Sequence, residues 1–157
     1  MEDEFKVGQL TKELVAIKLK RMDDPCAAAA ELVKQTLGVA LRAVAPGAPE
    51  GAHAQVVTDA CQGGMTGLLL AGHELGRGAA LMLEAVSELA NHFQLDPTMM
   101  MEAGLKGIAD MRRFANPDQL EDIRREVGRH FLGVEALFEE MLRRPVSEAE
   151  RAGRSAA

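Results

Sequence analysis

The chain has 157 residues and a formal net charge of -6, enough length to bury a core of its own as one domain. Hydrophobic residues make up 47 %, yet Trp and Tyr are absent and Phe occurs five times, so the core must be aliphatic, with nine Met as its adaptable filler. Acids interleave with bases even where arginine is densest, from Arg112 to Arg154, which argues against a nucleic-acid footprint, since that needs a net basic face.

Ala, Leu, Glu and Arg dominate, and β-branched and aromatic residues are scarce, which predicts an all-α fold. The opening MEDEFK is acidic and no apolar run follows it, so no signal peptide is expected and a cytoplasmic location is. A first amphipathic helix is predicted from Asp3 to Met22, with one apolar stripe at Leu10, Leu14 and Ile17 and a second at Val15, Leu19 and Met22. Asp24-Pro25 then reads as a helix start, Asp as N-cap and Pro preset at the first helical position. The second helix runs to about Val44 and ends in APGAPEGA, residues 45–52, where prolines and glycines forbid regular structure.

The next stretch organises the chain. From Ala54 to Phe93 a helical period places Val57, Cys61, Gly64, Leu68, Gly72, Leu75, Ala79, Met82, Val86, Leu89 and Phe93 on one side. One continuous helix of roughly 60 Å is therefore expected, the spine of a bundle. Six glycines interrupt it, Gly63, Gly64, Gly67, Gly72, Gly76 and Gly78, and at about 1 kcal/mol each they leave it roughly 5 to 6 kcal/mol behind an alanine helix. Together with Ala60, Ala71, Ala79, Ala80, Ala85 and Ala90 they form two smooth flanks, so we assign these glycines to close helix packing on both sides. A break into two helices at Gly63-Gly64 competes with this, but the apolar phase carries across the pair unchanged. His73, Glu74, Arg77 and Glu84 within the stretch argue against a membrane span.

Asp96-Pro97 repeats the Asp-Pro start and opens a helix to about Ala115. Asn116-Pro117 starts a last helix whose stripe, Leu120, Ile123, Val127, Phe131, Val134, Phe138 and Met141, predicts one uninterrupted element. From Pro145 on there is no apolar periodicity, so residues 1–144 are expected to form a single helical domain and 145–157 a flexible tail. The whole reads as a bundle of about five helices around a long glycine- and alanine-flanked central one.

Reactive signatures are few. No phosphate loop, GxSxG or HExxH occurs, and no catalytic residue is assigned. Metal binding is the sharpest enzymatic alternative: Glu88 and His92 share a helix face at i, i+4, as do Glu126 and His130, and four such groups facing one another would make a ligand set. A solvated stripe accounts for the first pair and a hydrogen-bonded core-edge histidine for His130, so no cofactor is expected. Met99 and Met100 open their helix as a candidate partner surface. Cys26 and Cys61 form no CxxC pair and are expected to be inert core thiols unless their helices meet. The expected function is non-catalytic: protein-protein interaction or self-assembly as a scaffold, adaptor or regulator, with the chain itself as a partner, in a homodimer or larger, beside an unknown protein. The alternatives are a bundle enzyme or sensor holding a metal or small ligand, and reversible binding of a lipid or hydrophobic surface through amphipathic helices.

Overall fold

The computed structural model describes residues 8–14 and 24–144. Helix α1 covers 8–14; the rest of the helix expected from Asp3 to Met22, and the tail expected after residue 144, lie outside the described residues. There follow α2 (Pro25–Ala43), α3 (Glu50–Leu70), α4 (Leu75–His92), α5 (Pro97–Ala109) with a 3-10 turn at Asp110–Arg113, α6 (Pro117–His130) and α7 (Val134–Arg143). No strand occurs among the described residues, and the helices pack together as an all-α bundle. None of them is long and apolar enough to cross a membrane.

Three helices begin where the sequence says they do, because a short polar side chain takes up backbone N–H groups that the first turn cannot satisfy. Asp24 accepts from Ala27 N at 3.3 Å, and Asp96 from Thr98 N at 3.0 Å. Asn116 forms a reciprocal box with Gln119: each side chain accepts from the other residue's backbone N–H at 2.8 Å.

The spine differs from expectation. It is unbroken through Gly63-Gly64 but ends at Leu70, and the chain turns through Ala71–Glu74 before α4 begins. Gly72 makes the turn: its φ is +75°, and it is followed by a bond from His73 N to Leu68 O at 3.1 Å, the closure of a left-handed helix C-cap. Gly72 is thus a turn residue and not a packing residue, since nothing lies within 4 Å of where its Cβ would be. The 60 Å element disappears with it, and so does the need for a second subunit to cover such a length. The loop before α3 is also shorter than 45–52, because Pro49 holds the extended N-cap position and Glu50 already starts the helix. The predicted last helix is likewise two, α6 and α7, separated by Phe131–Gly133 with Gly133 at φ +81°.

Within α3 the small residues bring backbones together. A methyl group at Gly63 would lie 2.5 Å from the carbonyl oxygen of Gly8 in α1, and one at Gly64 would lie 2.5 Å from Val33 Cγ2 of α2 and 2.9 Å from Met82 Cε of α4. From α5, Gly107 sits on the carbonyl oxygen of Thr58, leaving no room for a Cβ. The buried Thr58 hydroxyl completes the contact by donating to Ala103 O at 2.9 Å, with Ala54 O of its own helix at 3.1 Å. Gly67 is buried, and a Cβ at Gly78 of α4 would collide with Leu68. Gly76, in the first turn of α4, lets α6 approach: its N–H donates to Asp122 Oδ2 at 3.2 Å, and a methyl group there would lie 2.7 Å from Asp122 O. With Gly72 in a turn and Gly76 at a helix start, the interior glycine cost falls to roughly 4 kcal/mol, to be offset by the dispersion contacts of Val33, Met65, Leu68, Met82 and Leu83, all buried.

Two substitutions separate packing from conformation. Gly107→Ala puts a methyl group on the Thr58 carbonyl and is expected to lower stability by about 1–3 kcal/mol in urea unfolding. Gln94, the one described non-glycine residue at positive φ, 56°, caps α4 with Leu95 N bonded to Ala90 O at 2.8 Å; Gln94→Gly is expected to raise stability by up to about 1 kcal/mol in the same assay.

Candidate functional site

The largest apolar opening lies where α4 and α5 meet the corner between α6 and α7, a cleft of about 470 Å³. Its floor is Leu83 of α4 and Leu105 of α5, both buried. Half-buried Met101, Phe131, Val134 and Leu137 form the walls, and the exposed Thr98, Glu102 and His130 supply the polar rim. Leu132 projects from the rim fully exposed, the most exposed large hydrophobic residue described.

Local structure explains this arrangement. Helix α6 ends as Phe131 turns extended, with its N–H still bonded to Val127 O at 3.0 Å, and Gly133 in the left-handed region restarts the chain as α7. The reversal carries Phe138 and Met141 back into the core, where both are buried, and leaves Leu132 at the tip. Arg124 of α6 fastens the two arms by pairing with Glu121 of its own helix and with Glu135 and Glu139 of α7. The Glu121 hydrogen bond is the main reason that the Arg124 pKa is raised and the Glu121 pKa lowered. At the far end of α7, Arg112 donates to Met141 O at 2.6 Å.

A second, charged cleft of about 370 Å³ lies between α4 and α6, lined by Glu74, Arg77, Asp122, Glu126 and His130. Its charges are already engaged. Arg77 pairs with Asp24 at 2.6 Å, Asp122 with Arg125 at 2.9 Å, and Glu126 with Arg129 at 3.0 Å and His130 at 4.0 Å. The Arg77 hydrogen bond is also what holds the Asp24 carboxyl below its usual range.

The four candidate metal ligands are not gathered into one site. Glu88 is exposed and paired with Lys34 of α2 at 2.5 Å, and His92 is exposed with its ring edge-on to Phe93, whereas Glu126 and His130 line the charged cleft. No group of three or more His, Cys, Asp and Glu among the described residues is placed to hold a metal ion. The methionine surface also needs correction. Met100 is buried in the core and Met99 is half-buried against it, because this face of α5 points inward; it is Met101 that reaches the apolar cleft. Sequence reasoning missed the cleft, although one signal was present: Leu132 is a large apolar residue beside the stripe of the last helix, with no place on it.

Comparison of the chain with family models, with curated proteins and with solved structures finds no match.

Cys26 and Cys61 are free and buried away from both clefts. The Cys26 thiol donates to Glu74 O at 3.1 Å, and burial pushes its pKa up; burial pushes that of Cys61 up to about 12. A thiol held above its ordinary pKa carries less thiolate, the reactive form, at neutral pH. Native protein at pH 8 is therefore expected to give no rapid reaction with an aromatic disulfide reagent at either cysteine, and both thiols should react within seconds once urea unfolds the chain.

Proposed function

We propose that this is a non-catalytic helical-bundle protein that works by binding other macromolecules through an apolar surface, as a scaffold, adaptor or regulator. The supporting observation is the pairing of an open apolar cleft with Leu132 exposed at its rim. Apolar surface left in water favours association by roughly 25 cal/mol for each Å² covered, and a leucine raised on a tight turn is poised to contribute it. The cleft offers aliphatic and thioether walls, with carboxylate and imidazole only at the edge, so its chemistry favours binding over bond-making. A reducing, cytoplasmic setting fits two free cysteines.

A small apolar ligand is the second reading, because about 470 Å³ falls within the roughly 300–1,000 Å³ typical of ligand pockets.

Native mass spectrometry of the purified protein tests both. The expected spectrum is the bare polypeptide or its integer multiples. A retained small apolar molecule would turn the conclusion to the second reading, and stoichiometric iron, zinc, manganese or an organic cofactor would overturn the non-catalytic assignment.

A further inference from the structure

We propose that the occupant of the apolar cleft is a second copy of this chain: two copies pair about a two-fold axis beside the α6–α7 corner, each placing Leu132 in the other's cleft. This rests on the interaction-protein reading and names its partner.

The first support is that knob and hole stand side by side. Leu132 is fully exposed and also forms part of the rim of the cleft. A surface carrying both a projection and the matching hollow is self-complementary under a two-fold rotation, the commonest symmetry of soluble oligomers. A heterologous partner accounts for the hollow; it leaves unexplained why an apolar projection sits on the same rim.

The second support is charge. Glu102 stands on the α5 side of the rim, and no ion pair or hydrogen bond engages its carboxylate among the described residues. On the opposite side is His130, beside Arg129 at the end of α6. Because His130 precedes Leu132 by two residues, a rotation that seats Leu132 in the other cleft carries the basic end of α6 towards the other copy's Glu102. One acidic and one basic rim per copy make two attractive juxtapositions, whereas a single-signed rim would repel itself.

The third support comes from the chain's own sequence. After Arg144 it reads PVSEAERAGRSAA, in which Val146 is the only large aliphatic residue, so the C-terminal tail offers nothing comparable to a leucine for filling the cleft. One leucine does not make an interface. A stable pair buries about 1,200–2,000 Å² in total, so the first turn of α5 and the outer face of α7 must close over the contact.

The test is sedimentation equilibrium on the full chain from about 1 to 100 µM, a range that brackets micromolar association. A concentration-dependent dimer is expected, and Leu132→Asp should weaken it by at least ~100-fold, the scale of a buried anchor residue. Circular dichroism and the urea midpoint of Leu132→Asp should match the parent, since the side chain is exposed within one copy. A second measurement places the contact. Chains carrying Thr98→Cys are mixed with separately prepared chains carrying Leu132→Cys and treated with a short bis-maleimide, to which the buried Cys26 and Cys61 are inaccessible. Cross-linked heterodimer should exceed that from a Thr98→Cys and Glu140→Cys mixture.

A monomer at the highest concentration, a dimer unaffected by Leu132→Asp, or trans cross-linking no greater than the control would each overturn the pairing. None of these alters the cofactor-free mass on which the broader reading stands, so the two fail separately. A small molecule retained in the cleft would overturn both.

Discussion

The close seating of α5 on α3 is the constraint from which the rest of the architecture follows. Gly107 rests against the Thr58 carbonyl, and the Thr58 hydroxyl bonds to Ala103 O, so two backbones are joined by a buried polar contact with no side chain between them. On other sides of α3, Gly63 meets the backbone of Gly8, and Gly64 meets Val33 and Met82. A helix approached from several directions cannot carry large side chains on each of them. The scarcity of bulk that weakens α3 as an isolated helix is what permits it to be surrounded, and its stability derives from neighbours more than from its own propensity.

Once α3 and α5 are fixed, α5 has only one direction left in which to be covered. Its inner face, with Met100, Gly104, Leu105 and Ile108, is committed to the core. The remaining face, at Thr98, Met101 and Glu102, is left to the short α7 and the turn before it. Helix α7 spends its best hydrophobic residues elsewhere: Phe138 and Met141 are buried, and Arg124 and Arg112 hold the helix at both ends. What remains above α5 is half-buried Val134 and Leu137, and the cleft is the space they do not fill.

How much of this is legible in the sequence depends on whether the signal is local. Asp24-Pro25, Asp96-Pro97 and Asn116-Pro117 start helices because capping is decided within four residues, and all three are read correctly. The packing of Gly63, Gly64 and Gly107 is set by neighbours distant in sequence, so periodicity marks a smooth face without saying what meets it. Breaks are hidden by arithmetic. The four residues from Ala71 to Glu74 advance the helical phase by roughly 400°, within about 40° of a whole turn, so the apolar stripe reads as continuous across a reversal. Phe131–Gly133 advances it by roughly 300°, with the same effect. Glycine composition does not resolve the ambiguity, because Gly63-Gly64 lies inside a helix while Gly72 ends one; what differs is φ, which the sequence does not display. The proposed metal quartet shares this limit, since i, i+4 spacing puts Glu88 with His92 and Glu126 with His130 but says nothing about whether the two pairs face each other.

The exposure of Leu132 follows from the same turn. For α7 to reverse onto α5, the chain leaves α6 extended at Phe131 and re-enters a helix through a left-handed Gly133. Phe131 stays against the core and Val134 begins the next helix, so Leu132 between them is the residue on the outside of the bend. A polar residue there would satisfy the turn equally well, because the turn asks only for glycine at the next position. Folding of one copy therefore gives no reason for a leucine at this position, and burial against another surface does.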